Sequence, residues 1–411
     1  MEWQPDVLPG FEQLELQLTA DDEGPVVATL VRRAPTATPK QLIDKLPESA
    51  PESAFATEAK ADIGADVLYI HGWVDYFHQK HLAAYFESHG FRFYALDLRK
   101  YGRSIREWQT PGFTDSLTLY DEDINAALAA IGHSPTGLDD AVEAEAVPSR
   151  DETESTLSGI IPQVPPGIIR TIIESARSGY SEAAATKPAP SPSSEYDDRP
   201  VAEPATTSNR RRLVLMGHST GGLIASLWAH FNPGRADALV LNSPWLEFQT
   251  GNFGRRALEG PVKAQARIAP MSHLVNPDQG FYVKSISNQF DGEWEINPDW
   301  KPVVMWPPTA AWMAAIFRAQ DRVSLGLDLN IPVLVLLSAK STLPLRWTPE
   351  LLETDQVITV DDVMARAPSL GNVVTTVRLD GALHDVTLST AEVRAKLWQE
   401  LTRWLNAYLP G

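Results

Sequence analysis

Leu213-Val214-Leu215-Met216-Gly217-His218-Ser219-Thr220-Gly221-Gly222-Leu223-Ile224-Ala225 decides the fold. The apolar run Leu213 to Met216 predicts a buried strand, and the residues from Gly222 to Phe231 predict an apolar helix. Between the two the chain reverses so sharply that a glycine is needed on each side of Ser219, which leaves the serine hydroxyl exposed above the sheet edge at a helix N-terminus. Such a serine is placed to act as a nucleophile. The competing reading of the same residues is a glycine-rich turn whose serine only caps the helix.

Working outward, β-rich apolar runs alternate with helical patterns, the signature of a mostly parallel sheet covered on both faces. The predicted strands are Phe11 to Leu18, Val26 to Arg32, Val67 to Ile70, Phe91 to Leu96, Arg212 to Met216, Ala238 to Asn242, Val333 to Leu337 and Val373 to Leu379. The predicted helices are Gln79 to Ser88, Leu117 to Ala130, Gly222 to Phe231 and Ala391 to Tyr408, the last with Val393, Leu397, Leu401 and Leu405 at helical spacing. The fold class is α/β, with eight strands. Two stretches interrupt the alternation. Residues 134–208 carry ten prolines and thirteen acids against five bases, and read as a flexible, solvated insertion. Within it Ile160, Ile161, Val164, Ile168, Ile169, Ile172 and Ile173 either dock on the core or form a lipid-seeking patch. A shorter break from Ala34 to Ala61 reads as a long connection. The stretch from Trp245 to Ile331 is dense in Trp, Phe, Met and Pro and too long for an ordinary connection, which suits a lid over a pocket. The domain reading is therefore a core of 1–133, 209–246 and 331–411, an acidic proline-rich insertion at 134–208, and a lid or cap at 247–330.

Composition narrows the function classes. The 411 residues are 43% hydrophobic and 21% charged, which is globular, and no run reaches the length of a membrane helix. A net charge of -18 disfavours phosphate backbones and anionic membranes, so neither nucleic acid nor a stable membrane anchor is expected. Without cysteine there is no disulfide framework, no thiolate metal site and no thiol nucleophile. MEWQPDVLPG has neither the basic nor the apolar region of a signal peptide, so a cytoplasmic location is expected.

A serine nucleophile needs an oxyanion hole and a base. Tyr69-Ile70-His71-Gly72-Trp73 closes an earlier strand with a His-Gly turn able to aim the Trp73 N–H into the site, and Thr220 supplies a second backbone donor. Asp97-Leu98-Arg99-Lys100-Tyr101-Gly102-Arg103-Ser104, after the next strand, is assigned a buttressing role. Of nine histidines, His384 in Asp380-Gly381-Ala382-Leu383-His384-Asp385 follows the final strand, where the order Ser, acid, His places the base. His78 and His81 are spaced for a metal but lack further ligands in an obvious pattern, so no metal is expected.

These residues resemble the α/β-hydrolase family, and the His-Gly turn, the His-Ser-x-Gly-Gly elbow and the lid placement resemble its monoacylglycerol-lipase and lysophospholipase-like branch. The resemblance covers most of the chain outside 134–208. It implies an α/β-hydrolase fold, a mobile lid, and carboxylic-ester hydrolysis without a cofactor. It implies Ser219 as nucleophile, His384 as base, and Trp73 and Thr220 as oxyanion donors. One departure stands out. The family's acid lies just beyond the seventh strand, where this chain reads Ser338-Ala339-Lys340-Ser341-Thr342 without a carboxylate. Asp355 ranks first as replacement, because it opens the apolar run Val357 to Val360 that would hold it beneath His384. Asp361 ranks second, since it also looks like the N-cap of a helix from Val363, and Glu247, just after the sixth strand, ranks third.

The resulting expectation is a serine esterase acting on a small ester with an apolar acyl or aromatic group. Trp294, Trp300, Trp306, Trp312, Phe281 and Phe317 either line an acyl pocket or form the lid's own core. Peptidase and thioesterase activities use the same machinery. A protein that has lost catalysis and serves in binding is the different-class alternative.

Overall fold

The computed structural model describes residues 2–37, 60–133, 195–196, 199–202, 210–248, 251–276 and 278–410. The isoleucine-rich stretch at 160–173 and most of the break at 34–61 lie outside them.

The strands are β1 (Gln4–Pro5), β2 (Phe11–Asp21), β3 (Gly24–Arg33), β4 (Ala65–Ile70), β5 (Arg92–Asp97), β6 (Arg212–His218), β7 (Ala238–Asn242), β8 (Val333–Ser338) and β9 (Val374–Leu379). They form one sheet in the order β1-β2-β3-β5-β4-β6-β7-β8-β9. From β5 onward every neighbouring pair is parallel, while β1, β2 and β3 form an antiparallel edge that joins at β5. All eight expected strands are present. β1 is the addition, and two residues are too few for alternation to reveal.

Alternation explains how the sheet is covered. In β6, Leu213 and Leu215 face one apolar layer and Val214 and Met216 the other. The first layer is closed by α2 (Tyr120–Ala130), α3 (Thr220–Phe231) and α6 (Ala310–Ser324), and the second by α1 (Lys80–Ser88) and α8 (Ala391–Tyr408). Both faces of the central strands are buried, which is why they read as continuous apolar runs.

The segment between β7 and β8 adds α4 (Gly251–Ile268) and α5 (Phe281–Ile286) before α6. Helix α6 is not peripheral. Its Trp312, Ile316 and Phe317 belong to the main core, while α5 packs Tyr282 and Ile286 on Trp294, Leu383 and Leu388 in a smaller cluster. Within the 134–208 stretch Tyr196 is buried, its ring 6.0 Å from that of Phe231, while Pro200, Val201 and Ala202 are exposed. Among the described residues no helix is long and apolar enough to cross a membrane. A short α7 (Val360–Arg366) lies between β8 and β9.

Candidate active site

Every feature of the site sits at the C-terminal edge of the parallel strands. Ser219 follows β6 with φ 54° and ψ -119°, a conformation that side chains rarely adopt, and α3 begins at the next residue. The turn is that sharp because three glycines let backbones touch. A Cβ on Gly221 would lie 2.2 Å from the His71 carbonyl oxygen, one on Gly217 2.5 Å from the Gly221 oxygen, and one on Gly72 2.9 Å from the Ser219 Cβ. Since the first two obstacles are backbone, Gly221→Ala is expected to destabilise the protein by about 3 kcal/mol or more, read as a fall in the urea midpoint. A midpoint unchanged from wild type would contradict this interlocking of elbow and His-Gly turn.

The His-Gly turn lies directly against the serine. Leu98 N–H donates to His71 Nε2 at 3.0 Å, so Nδ1 carries the proton and donates to the Gly72 carbonyl at 2.7 Å. Burial pushes the His71 pKa down, keeping this pin neutral. The Trp73 ring is held at 3.9 Å from Trp312 and 5.9 Å from Tyr101. Thr220 is the first residue of α3, so its N–H is among those a helix start leaves without an internal partner. The Asp97–Ser104 loop buttresses from behind: Asp97 accepts from Phe77 N–H at 2.8 Å and from the Arg103 guanidinium at 2.8 Å.

His384 lies in the loop after β9, one 3₁₀ turn (Val386–Leu388) before α8 rather than at the helix head. Its Nδ1 is 2.8 Å from Asp355 Oδ2. Its Nε2 is buried and takes no hydrogen bond among the described residues. The ring stands 4.8 Å from that of His218, the residue before Ser219, and 5.5 Å from Tyr282. Asn242 ties these pieces together, accepting the Ser219 N–H at 3.0 Å on its carbonyl and the Val386 N–H at 3.1 Å on its side chain.

Asp355 is fully buried, and its other oxygen accepts the N–H groups of Val357 and Ile358 at 2.8 and 2.9 Å. How it reaches His384 is visible in the backbone. Asp355 N–H donates to the Lys340 carbonyl at 3.1 Å, and Thr342 N–H donates to the Asp355 carbonyl at 2.8 Å. The chain leaves after Ser341, loops out and returns to lie alongside it, so the carboxylate missing from 338–342 is supplied at the same place by a residue from the far end of the loop. Ser341 closes the loop by accepting the Val360 N–H at 2.7 Å.

The other two acids are engaged elsewhere. Asp361 is exposed, 3.5 Å from Arg378. It is not the N-cap of a helix from Val363: α7 starts at Val360, Thr359 is the cap residue, and Asp361 sits in the first turn, where a carboxylate offsets the helix dipole. Glu247 is bound by Arg255 at 3.0 Å and by Arg366. It ties the start of the β7–β8 segment to α7 and makes no bond to His384.

The aromatic residues of 247–330 divide. Trp312 reaches the Trp73 wall of the site, and Trp245, just before this segment, lies 6.0 Å from it. Trp294 is structural, donating to the Leu388 carbonyl at 2.7 Å and stacking on His81, as is Phe317 against Phe248. Trp300 packs on Tyr76 and Phe281 on Trp347. Burial drives His78 to a pKa of about 4 and His81 to about 3. Among the described residues no group of three or more His, Asp or Glu is arranged to hold a metal.

Sequence reasoning left Asp385 unassigned. It is fully buried and accepts from Asn242 at 2.6 Å, from the Thr387 hydroxyl at 2.6 Å and from Gln79 at 3.0 Å. Burial alone would raise its pKa, yet nearby His218 and these bonds hold it well below the usual carboxylate range. It fixes the peptide that carries His384. An aspartate beside a histidine gives no sequence signal of this, because Gln79, just before α1, and Asn242 of β7 lie far from it in the chain.

Comparison with known proteins bears on the fold. Residues 199–344 match the family model described as serine aminopeptidase, S33. The match spans the elbow and stops short of Asp355 and His384. No curated protein matches the sequence. A soluble variant of monoglyceride lipase from Saccharomyces cerevisiae, solved with a substrate analogue, is 11% identical with a TM-score of 0.52, covering 96% of each chain. Monoacylglycerol lipase from Paleococcus ferrophilus is 17% identical with a TM-score of 0.48, covering 85% of this chain and 96% of its own. A thermophilic esterase from Thermogutta terrifontis is 14% identical with a TM-score of 0.48, covering 96% and 98%.

Proposed function

We infer that this chain, which has the α/β-hydrolase fold, is a serine hydrolase that cleaves carboxylic esters through an acyl-enzyme, with Ser219 as nucleophile, His384 as base and Asp355 as the acid that orients it. The observation that carries the reading is the His384–Asp355 bond. A carboxylate on Nδ1 fixes the tautomer whose Nε2 is basic, which is what a serine hydroxyl requires of its partner. A carboxylate on His384 Nδ1 also speaks against a non-catalytic reading, which would rest on the lack of one in 338–342.

In this mechanism Ser219 Oγ attacks the ester carbonyl while its proton passes to His384 Nε2, and Asp355 stabilises the imidazolium. The carbonyl oxygen, now negative, is met by the N–H groups of Trp73 and Thr220, donors fixed before the charge develops. His384 hands the proton to the departing alcohol. Water, deprotonated by the same nitrogen, then releases the acid and restores Ser219. In this reading residues 247–330 act as the cap. Trp73, Trp312 and Trp245 form an aromatic wall beside the elbow, Trp245 being bonded through its N–H to the Ser219 carbonyl at 3.0 Å. Such a wall favours a flat or apolar acyl group over a polar one.

The test is labelling of the wild-type protein by a fluorophosphonate probe, with turnover of p-nitrophenyl acetate, octanoate and palmitate. Labelling is expected, with acetate or octanoate preferred to palmitate by about tenfold or more, because the Trp73 and Trp312 rings, in contact with each other, close the wall. Folded protein that neither labels nor turns over any of the three esters overturns the reading.

A further inference from the structure

Two residues after Trp73, the turn carries Asp75, whose side chain is buried. Its Oδ1 is 2.8 Å from the Nζ of Lys301, which is buried as deeply and comes from the cap. Lys301 is one of several grips that the same cap stretch takes on this turn. Asn297 N–H donates to the Tyr76 hydroxyl at 2.8 Å, the Trp300 ring packs on Tyr76 at 5.1 Å, and Lys301 N–H donates to the Asn297 carbonyl at 2.9 Å. The ammonium of Lys301 also lies 5.4 Å from the ring centre of Tyr282, the residue packed on His384. One cationic side chain therefore sits between the oxyanion turn and the histidine loop.

The turn has reason to be held. Between Trp73 and Asp75 stands Val74 with φ 46°, a conformation that a β-branched residue adopts only under constraint. Released from its anchors, this peptide would relax and carry the neighbouring Trp73 N–H with it. A buried carboxylate is a firm anchor only if its charge is matched. Burial alone would raise the Asp75 pKa, and Lys301 is the strongest influence opposing it, leaving the carboxyl below its ordinary value. His78, 3.8 Å from the same oxygen, is driven by burial to about 4 and is uncharged at neutral pH. The charge partner of Asp75 is thus the cap lysine.

We propose that Lys301 is a positioning residue: its ion pair with Asp75 ties the Trp73 turn to the cap, so that the Trp73 N–H is aimed at the oxyanion position when the cap is docked. This rests on the ester-hydrolase reading above. The cap would then do more than shape a pocket, because docking it would complete the oxyanion hole.

The experiment compares wild type with Lys301→Met and with Asp75→Asn/Lys301→Met. The double variant removes both charges together and leaves no buried ion unpaired, so it separates folding from function. Two readouts are taken on folded protein, judged by circular dichroism and melting temperature. Hydrogen exchange at residues 73–76 is expected to quicken by about tenfold or more in both variants. The kcat for a p-nitrophenyl ester is expected to fall by about 30-fold or more, with KM within about threefold, since an oxyanion donor acts on the transition state rather than on substrate binding. Unchanged exchange in the folded double variant overturns the clamp, as does a kcat within about threefold of wild type. If wild type itself fails to label and to turn over ester while exchange at 73–76 still responds to the variants, the ester-hydrolase reading falls and the clamp stands as an anchor of the turn.

Discussion

Asp355→Asn is expected to lower kcat for a p-nitrophenyl ester by about 10⁴ while leaving the fold intact. The asparagine is isosteric, and its carbonyl oxygen can still accept the N–H groups of Val357 and Ile358, so the loop keeps its shape. What changes is the atom facing His384. An amide NH₂ in place of Oδ2 makes Nδ1 the acceptor, which moves the imidazole proton to Nε2. The nitrogen meant to take the Ser219 proton would then already carry one. The comparison lies in the other two acids. Asp361→Asn removes an exposed carboxylate 3.5 Å from Arg378, and Glu247→Gln weakens the Arg255 and Arg366 pairs at the foot of the cap. Both are expected to hold kcat within about fivefold of wild type, and Glu247→Gln to cost about 1–3 kcal/mol of stability through its unmatched arginines. A loss in Glu247→Gln as deep as that in Asp355→Asn, or a kcat within about tenfold of wild type in Asp355→Asn, would remove Asp355 from the acid's role.

Asp355 also marks the boundary of what the sequence made legible. The central strands announce themselves because both faces are buried, and the elbow because glycine is sterically obligatory at Gly217 and Gly221. His384 follows from chain order, since the last strand-to-helix loop of this sheet ends at the same edge as Ser219. Asp355 was one choice of three, and nothing in its neighbours says that the chain folds back to pair it with Ser341. The two N–H groups of the run after it are what fix its side chain, a local signal that was readable. The Asp75–Lys301 pair and the Gln79 and Asn242 partners of Asp385 were not readable at all. Each joins residues that only the folded topology brings together, and a buried lysine looks like a surface lysine in a sequence. The division of the cap aromatics was hidden for the same reason: apolar rings that line a pocket and apolar rings that fill a core have the same composition. Helix α6 sits in the main core despite lying in the stretch read as a lid, because the pattern there says buried without saying against what.

Ser219→Ala is expected to abolish fluorophosphonate labelling and to reduce kcat by about 10⁶, the loss that follows when a residue acting as one unit with its base is removed. A second substitution at the same position makes the experiment say more. Ser219 has φ 54°, and a non-glycine residue held there costs about 1–3 kcal/mol. Alanine keeps the Cβ and therefore the strain, so Ser219→Ala should melt close to wild type. Glycine has no Cβ to strain at that φ and adopts positive φ freely, at the expense of a more flexible unfolded chain. The balance favours Ser219→Gly by about 1 kcal/mol, a rise of roughly 2 °C in melting temperature. Its labelling should be as absent as in the alanine variant. A protein that becomes more stable and inert by the same change holds that backbone conformation for the sake of the hydroxyl. If instead Ser219→Gly melts below Ser219→Ala, the side chain stabilises the turn, and the positive φ is a feature of local packing with no link to chemistry. Both melting curves and both labelling reactions use the full chain, so the two readings separate on four measurements made side by side.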